Sequence, residues 1–173
     1  MLRSAEQARQ LVKDAKFPPL GVRGFGSPLS MERFSPAPTF TEYLQQANST
    51  LVTIVQIETQ EALDSVEEIA AVDGVDVLFI GPFDLGNNIG HPILDGVVKQ
   101  ELKDAMAKIL KASHDNGKKC GVYSVTGEQA KAFAEQGFDM IAAATDYTVL
   151  DFSLRSQLSV AQSAAPPQPG KSY

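Results

Sequence analysis

Residues 51–85, LVTIVQIETQEALDSVEEIAAVDGVDVLFIGPFDL, decide the fold. Two apolar runs, at 51–58 and 74–81, are each long enough for a strand, and the segment between them has apolar residues at helical spacing. Near-continuous apolar strands joined by a helix are typical of a parallel sheet that helices cover. This stretch therefore predicts a strand, a helix and a second strand parallel to the first.

Further strands and helices are predicted on both sides of this stretch. The pattern predicts strands at 119–124 (KCGVYS) and 137–144 (GFDMIAAA). Three helices are predicted to begin at a hydroxyl residue that has glutamate two positions later, a typical helix start; these are Ser4, Thr59 and Thr126. Helical spacing predicts further helices over 41–48, 93–117 and 147–162.

This order of elements predicts an α/β fold. Four parallel strands with their helices are about half of a TIM (β/α)8 barrel, which typically needs roughly 250 residues. A small open α/β sheet is the alternative. We expect residues 1–162 to form a partial barrel, and residues 163–173 (SAAPPQPGKSY) to form a disordered tail.

Composition and charge exclude several classes of function. The formal net charge is −6 and no long basic run occurs, which argues against binding to nucleic acid or to an anionic membrane. A single cysteine, Cys120, cannot form an internal disulfide, and the sequence contains no CxxC or Cys/His metal-site spacing. No apolar run approaches the roughly 20 residues that span a bilayer. We expect a cytoplasmic protein.

Two acids stand where the strands at 51–58 and 74–81 end. Glu58 and Asp84 are expected beyond the carboxyl ends of neighbouring strands, which lie about 4.8 Å apart. Either acid alone is more often a helix cap or a turn residue, but a pair at this separation repels unless a cation or a proton lies between. Carboxylate ligands without Cys or His favour Mg²⁺ or Mn²⁺. Gln56 is predicted to lie on the same strand face as Glu58.

Other polar residues are weaker candidates. The segment 16–38 is predicted to be a long loop, and its role, as a lid or as an assembly contact, stays open. Arg23 within this loop is interpreted as an exposed residue. His91 precedes a proline and is interpreted as a helix-entry residue. Ser124 and Asp146 end the last two predicted strands and could face the site, but a serine without a neighbouring histidine is weak evidence for a nucleophile.

Four motifs resemble the HpcH/HpaI aldolase family. They are SAEQARQLV, PPLGVRGFGS, VQIET and GVDVLFIGPFDLG, and the resemblance covers roughly residues 3–150. The family's namesake is 4-hydroxy-2-oxoheptanedioate aldolase, a metal-dependent class II pyruvate aldolase. The resemblance implies a TIM barrel that assembles as an oligomer with exchanged C-terminal helices.

The resemblance also implies roles for individual residues. Glu58 and Asp84 match the carboxylates that bind the metal, which would be Mg²⁺ or Mn²⁺, with Co²⁺ as a further candidate. Gln56 matches a glutamine that contacts the substrate. Phe83 and Asp84 match positions whose backbone N–H groups receive the carboxylate of a small 2-oxo acid such as pyruvate. The expected partners are this acid and further copies of the chain.

One part of the family pattern does not occur in residues 1–173. The family carries its catalytic histidine in an Asp-x-Glu-His stretch after the second strand, and a key arginine after the third. We therefore expect the N-terminal half of the barrel to be missing, and assign no catalytic base within this chain. Three functions remain open: a class II aldolase, a citrate-lyase-like or malyl-CoA-type lyase, and a non-catalytic or complementing metal-binding half-barrel fragment.

Overall fold

The computed structural model describes residues 1–26 and 38–162, which contain four strands and eight helices. The strands are β1 (Ile54–Ile57), β2 (Val77–Ile80), β3 (Lys119–Tyr123) and β4 (Met140–Ala142). The helices are α1 (Ala5–Ala15), α2 (Phe40–Thr50), α3 (Gln60–Asp64), α4 (Val66–Ala70), α5 (Pro82–Asn88), α6 (Gln100–Asp115), α7 (Gly127–Glu135) and α8 (Asp146–Ala161). The predicted tail, and residues 27–37 of the predicted loop, lie outside the described residues.

The chain divides into two compact units, and β3 runs from the first into the second. In the first unit β1 pairs with β2 in parallel, with Ile57 opposite Ile80. The first residue of β3, Lys119, donates its backbone N–H to the carbonyl of Asp76, just before β2 (3.0 Å). In the second unit β3 pairs with β4 in parallel. Both of these strand pairs are parallel, which confirms the prediction of parallel strands.

The core of the first unit lies on the helix-covered side of its strands. In β1, Val55 and Ile57 are buried while Ile54 and Gln56 are exposed, because successive side chains of a strand point to opposite faces. The largest fully buried side chains in this unit include Ile57, Leu78 and Ile80 from strands and Val66, Ile69, Leu85, Leu102 and Ile109 from helices. The face that carries Gln56 is therefore the face opposite the core.

The predicted helix starts are confirmed at all three hydroxyl residues. Ser4, Thr59 and Thr126 each accept a hydrogen bond from the backbone N–H three residues later. Helix α2 adds a capping box, in which Thr39 and Glu42 bond each other's backbone. These hydrogen bonds from Thr39 lower the pKa of Glu42, because they favour its charged form.

The prediction of one helix over 93–117 is wrong in its first turns, since α6 begins at Gln100. Asp95 (φ 50°) and Gly96 (φ 76°) both adopt left-handed backbone, which no helix continues through. They form a tight turn in which the Val97 N–H donates to the Leu94 carbonyl (2.8 Å).

The single helix predicted after Thr59 is divided into α3 and α4. Ser65 lies between them with ψ 15°, far from the helical value near −42°. The predicted apolar face is nevertheless buried, and Val66 and Ile69 are fully so.

The described start of the predicted loop is tied to α2. The buried Lys16 donates through Nζ to the carbonyls of Asn48 and Leu51, both at 3.1 Å. Asn48 also exchanges two hydrogen bonds with the backbone of Phe17, each 2.8 Å. Lys16 thereby satisfies carbonyl groups at the end of α2 that have no helical partner.

Within residues 1–26 and 38–162, no helix combines the length and the apolar character that crossing a membrane requires.

Candidate metal and substrate site

Gln56 and Glu58 contact each other at the carboxyl end of β1. The Gln56 side chain is exposed, that of Glu58 is half-buried, and both lie on the strand face opposite the core. The Gln56 Nε2 donates to Glu58 Oε2 at 2.5 Å. This hydrogen bond orients the carboxylate and leaves its second oxygen, Oε1, for another partner.

Gly81 supplies the space in which these two side chains meet. The register of β1 and β2 places Gly81 next to Glu58, one residue beyond the Ile57–Ile80 pair. A Cβ atom at Gly81 would lie 2.6 Å from Gln56 Nε2 and 3.0 Å from Glu58 Oε2. Both distances are shorter than ordinary van der Waals contact, so a glycine here lets the amide and carboxylate lie over the end of β2.

Asp84 lies in the first turn of α5, a helix that is not among those predicted from the sequence. Gly81 is its N-cap, Pro82 its first residue, and Asp84 an exposed residue of its first turn. Proline at the first position and an acid in the first turn are ordinary signals of a helix start. These signals are present in GPFD and could have identified the helix.

The far end of α5 is bonded to the turn that follows Glu58. The Asn88 Oδ1 accepts a hydrogen bond from the backbone N–H of Gln60 at 2.8 Å. Asp84 and Asn88 are four residues apart in α5, so they lie on the same helix face, about 6 Å apart along the axis. The face of α5 that carries Asp84 therefore also contacts the 58–60 turn.

Glu58, Asp84 and Gln56 carry two carboxylates and one amide, whose oxygen atoms are the donors considered for a metal. Hard divalent cations such as Mg²⁺ prefer oxygen ligands and commonly keep several waters, so one or two carboxylates suffice. In the described parts of the chain, no group of three or more His, Cys, Asp or Glu side chains could hold a metal ion. Glu58 and Asp84 thus remain the predicted carboxylate pair, and their donor chemistry fits a hard cation.

Arg23 and His91 make other contacts. Arg23 is half-buried rather than exposed, because its guanidinium carbon lies 4.8 Å from the Phe17 ring centroid and its Nη2 donates to the Tyr43 hydroxyl (3.3 Å). His91 does not enter a helix as predicted, since α6 begins nine residues later. Its Nδ1 lies 3.7 Å from Glu101 Oε2.

Ser124 and Asp146 belong to the second unit and have local partners there. The buried Ser124 donates through Oγ to the carbonyl of Ala142 at 2.8 Å, which extends the pairing of β3 and β4. Asp146 begins α8 and accepts from the Tyr147 N–H at 2.7 Å. These contacts give both residues a structural role.

Comparison with known proteins identifies close relatives. The family model for HpcH/HpaI aldolase/citrate lyase matches residues 1–151. The chain is 39% identical over 152 residues to a hydroxypyruvate/pyruvate aldolase of Delftia acidovorans, an alignment covering 87% of this chain and 54% of that protein. It is 38% identical over 153 residues to a 4-hydroxy-2-oxo-heptane-1,7-dioate aldolase of Klebsiella pneumoniae, covering 87% and 55%.

Solved structures of similar proteins confirm the fold class. An HpcH/HpaI aldolase/citrate lyase family protein from Burkholderia cenocepacia matches with TM-score 0.77 and 31% identity over 94% of this chain and 63% of that one. An HpcH/HpaI aldolase from Desulfitobacterium hafniense matches with TM-score 0.79 and 25% identity, covering 97% and 64%. Their fold is of the TIM-barrel type. The chain spans between half and two thirds of the length of these four proteins.

Proposed function

The chain belongs to the HpcH/HpaI aldolase/citrate lyase family, and from this membership we propose that it is a metal-dependent class II aldolase. The reaction is the cleavage of a 4-hydroxy-2-oxo acid to pyruvate and an aldehyde. The observation that carries the proposal is that the Glu58 turn contacts both ends of α5, Gly81 at the start and Asn88 at the end. This contact supports a shared site for Glu58 and Asp84.

Glu58 and Asp84 are the residues that would hold the cation, Mg²⁺ or Mn²⁺ with Co²⁺ as a further candidate. When bound, the cation supplies Lewis-acid polarisation of the substrate's 2-oxo group. Gln56 holds Glu58 Oε2 through its amide and keeps Oε1 available. Gly81 keeps the space beside both side chains open.

The remaining residues bind the acid end of the substrate. The resemblance assigns the substrate carboxylate to the backbone N–H groups of Phe83 and Asp84, and a further substrate contact to Gln56.

In the cleavage, the 4-hydroxyl loses its proton, the C3–C4 bond breaks, and its electron pair passes to C3. The resulting pyruvate enolate takes up a proton to give pyruvate, and C4 leaves as the aldehyde. No residue of this chain is assigned as the base.

Pyruvate release measures this activity directly. The purified chain, incubated with Mn²⁺ and 4-hydroxy-2-oxoheptanedioate, is expected to release pyruvate, which an NADH-linked dehydrogenase detects. EDTA should abolish the release and added Mn²⁺ should restore it, because the cation polarises the 2-oxo group. Release that persists in EDTA would contradict the proposal. Cleavage of a thioester such as malyl-CoA instead would favour the citrate-lyase-like alternative.

A complementing half-barrel is the second candidate, and the edge of β1 favours it. Among the described residues, β1 pairs only with β2. Val52 and Ile54, at this edge, are large apolar residues that are exposed. An unpaired strand edge with apolar side chains is a surface on which another strand can add. A chain that binds Mn²⁺ in a titration but releases no pyruvate in the assay above would support this candidate.

We also propose that α8 contacts another copy of the chain. Three leucines at four-residue spacing form an apolar stripe on α8 that is exposed, at 60% for Leu150, 62% for Leu154 and 56% for Leu158. Replacing Leu154 by Asp should lower the mass measured by light scattering, because a charge is costly in an apolar interface. Gln157→Asp adds the same charge at an exposed polar position and should leave the mass unchanged. A wild-type chain that is monomeric at all concentrations would contradict this.

A further inference from the structure

We propose that Asn88 is a positioning residue that holds α5 against the Glu58 turn and thereby sets the spacing of Glu58 and Asp84. This inference rests on the proposed function, since it assigns Asn88 a part in forming the same cation site. Asn88 itself is not a ligand in this proposal. It acts through the hydrogen bond that its Oδ1 accepts from the Gln60 N–H at 2.8 Å.

The bond joins residues that are 28 apart in sequence, beyond the end of the β1–β2 pairing. Gln60 is the first residue of α3, and the first N–H groups of a helix have no carbonyl partner within it. The hydroxyl of the cap residue Thr59 accepts from the Ala62 N–H instead (3.1 Å). The Gln60 side-chain amide donates to Asp64 Oδ1 (2.8 Å). Asn88 therefore satisfies a backbone donor that lies two residues after Glu58.

Core contacts hold one side of α5, and the Asn88 bond holds another side. Leu85 is fully buried. A Cβ atom at Gly86 would lie 2.9 Å from the His91 carbonyl oxygen and 3.0 Å from Leu102 Cδ2, so this side of α5 is closely packed. Asp84 and Asn88 lie one turn apart on another, exposed face. A bond from Asn88 to the turn after Glu58 thus adds a second constraint on the direction in which the Asp84 face points.

The structure predicts a larger effect on cation affinity than on folding. The Asn88 side chain is exposed, so removing it leaves no buried cavity. Groups bonded directly to metal ligands change metal affinity by about 10–100-fold when they are removed, and Asn88, which bonds the backbone two residues after Glu58, is expected to act at the lower end of this range. A residue with a merely structural role would instead lower the melting temperature and leave the affinity of the folded chain unchanged.

Titration of the full chain with Mn²⁺, followed by electron paramagnetic resonance of the free ion, tests the inference. Asn88→Leu should raise the Kd for Mn²⁺ about 10-fold or more, with a melting temperature close to that of the wild type. Asn88→Asp keeps an acceptor oxygen and should restore binding. Asn87→Asp and Asn87→Leu are matched controls for charge and for side-chain size on the neighbouring exposed residue. Asn88→Ala replaces the Leu variant if that variant does not fold.

The outcomes separate this inference from the proposed function. A wild-type chain that binds no Mn²⁺ would overturn both. Wild-type binding with an unchanged Kd in Asn88→Leu and Asn88→Ala would overturn the role of Asn88 and leave the metal site standing. The gain in Mn²⁺ affinity from the Leu variant to the Asp variant should be larger at position 88 than at position 87. If the two gains are equal, charge alone explains the rescue and the role of Asn88 is overturned.

Discussion

Replacing Glu58 by Gln is expected to raise the Kd for Mn²⁺ by at least about 100-fold, since even residues that only orient metal ligands contribute 10–100-fold. The change keeps the length of the side chain and an oxygen that can accept from Gln56 Nε2, so the local packing is retained. It removes the negative charge that a hard cation requires. Mn²⁺ titration of the folded variant measures the effect, and pyruvate release should fall with it.

Glu61→Gln is the matched control for this change. Glu61 lies three residues further along, in the first turn of α3, and its side chain is exposed. The Glu61→Gln substitution alters the net charge of the chain by the same amount as Glu58→Gln, near the same turn. If both variants weaken Mn²⁺ binding equally, general electrostatic attraction explains the affinity. If neither does, Glu58 is not a ligand and the proposed lyase chemistry loses its basis.

Local geometry explains which parts of the site could be predicted. The shared face of Gln56 and Glu58 follows from the two-residue period of a strand, which no tertiary contact alters. The helix start at Thr59 follows from the chemistry of its hydroxyl. The roles of Glu58 and Asp84 in metal binding, and of Gln56 and Phe83 in substrate binding, stay predictions.

Features that depend on tertiary contacts could not be predicted. The bond from Asn88 to Gln60 joins residues 28 apart in sequence, and nothing in either local pattern indicates it. Helix α5 has seven residues, too few for its apolar spacing to be recognised, so only the start signals in GPFD indicate it locally. The apolar residues at 93–98 have spacing compatible with a helix, but Asp95 and Gly96 form a turn instead. This turn is exposed, and its Asp-Gly pair is itself a local turn signal that outweighs the apolar spacing around it.

Replacing Leu102 by Ala is expected to lower the free energy of unfolding by about 2–5 kcal/mol. Leu102 is 0% exposed in the first turn of α6. Its Cδ2 would lie 3.0 Å from a Cβ at Gly86, so the missing side chain of Gly86 is what lets α6 approach α5 so closely. Truncating Leu102 leaves a cavity beneath the helix that carries Asp84. Urea unfolding followed by circular dichroism measures the loss.

Two further variants distinguish a cavity from a general effect of losing a leucine. Leu44→Ala makes the same change in α2, where the side chain is 43% exposed, and should cost less than about 1 kcal/mol because less apolar surface leaves contact with protein. Leu102→Met nearly conserves volume and should cost less than about 1.5 kcal/mol. Equal losses for Leu102→Ala and Leu44→Ala would contradict close packing of α5 on α6. Since that packing supports one side of α5 and the Asn88 bond orients the other, Leu102→Ala should also weaken Mn²⁺ binding under conditions where the variant remains folded.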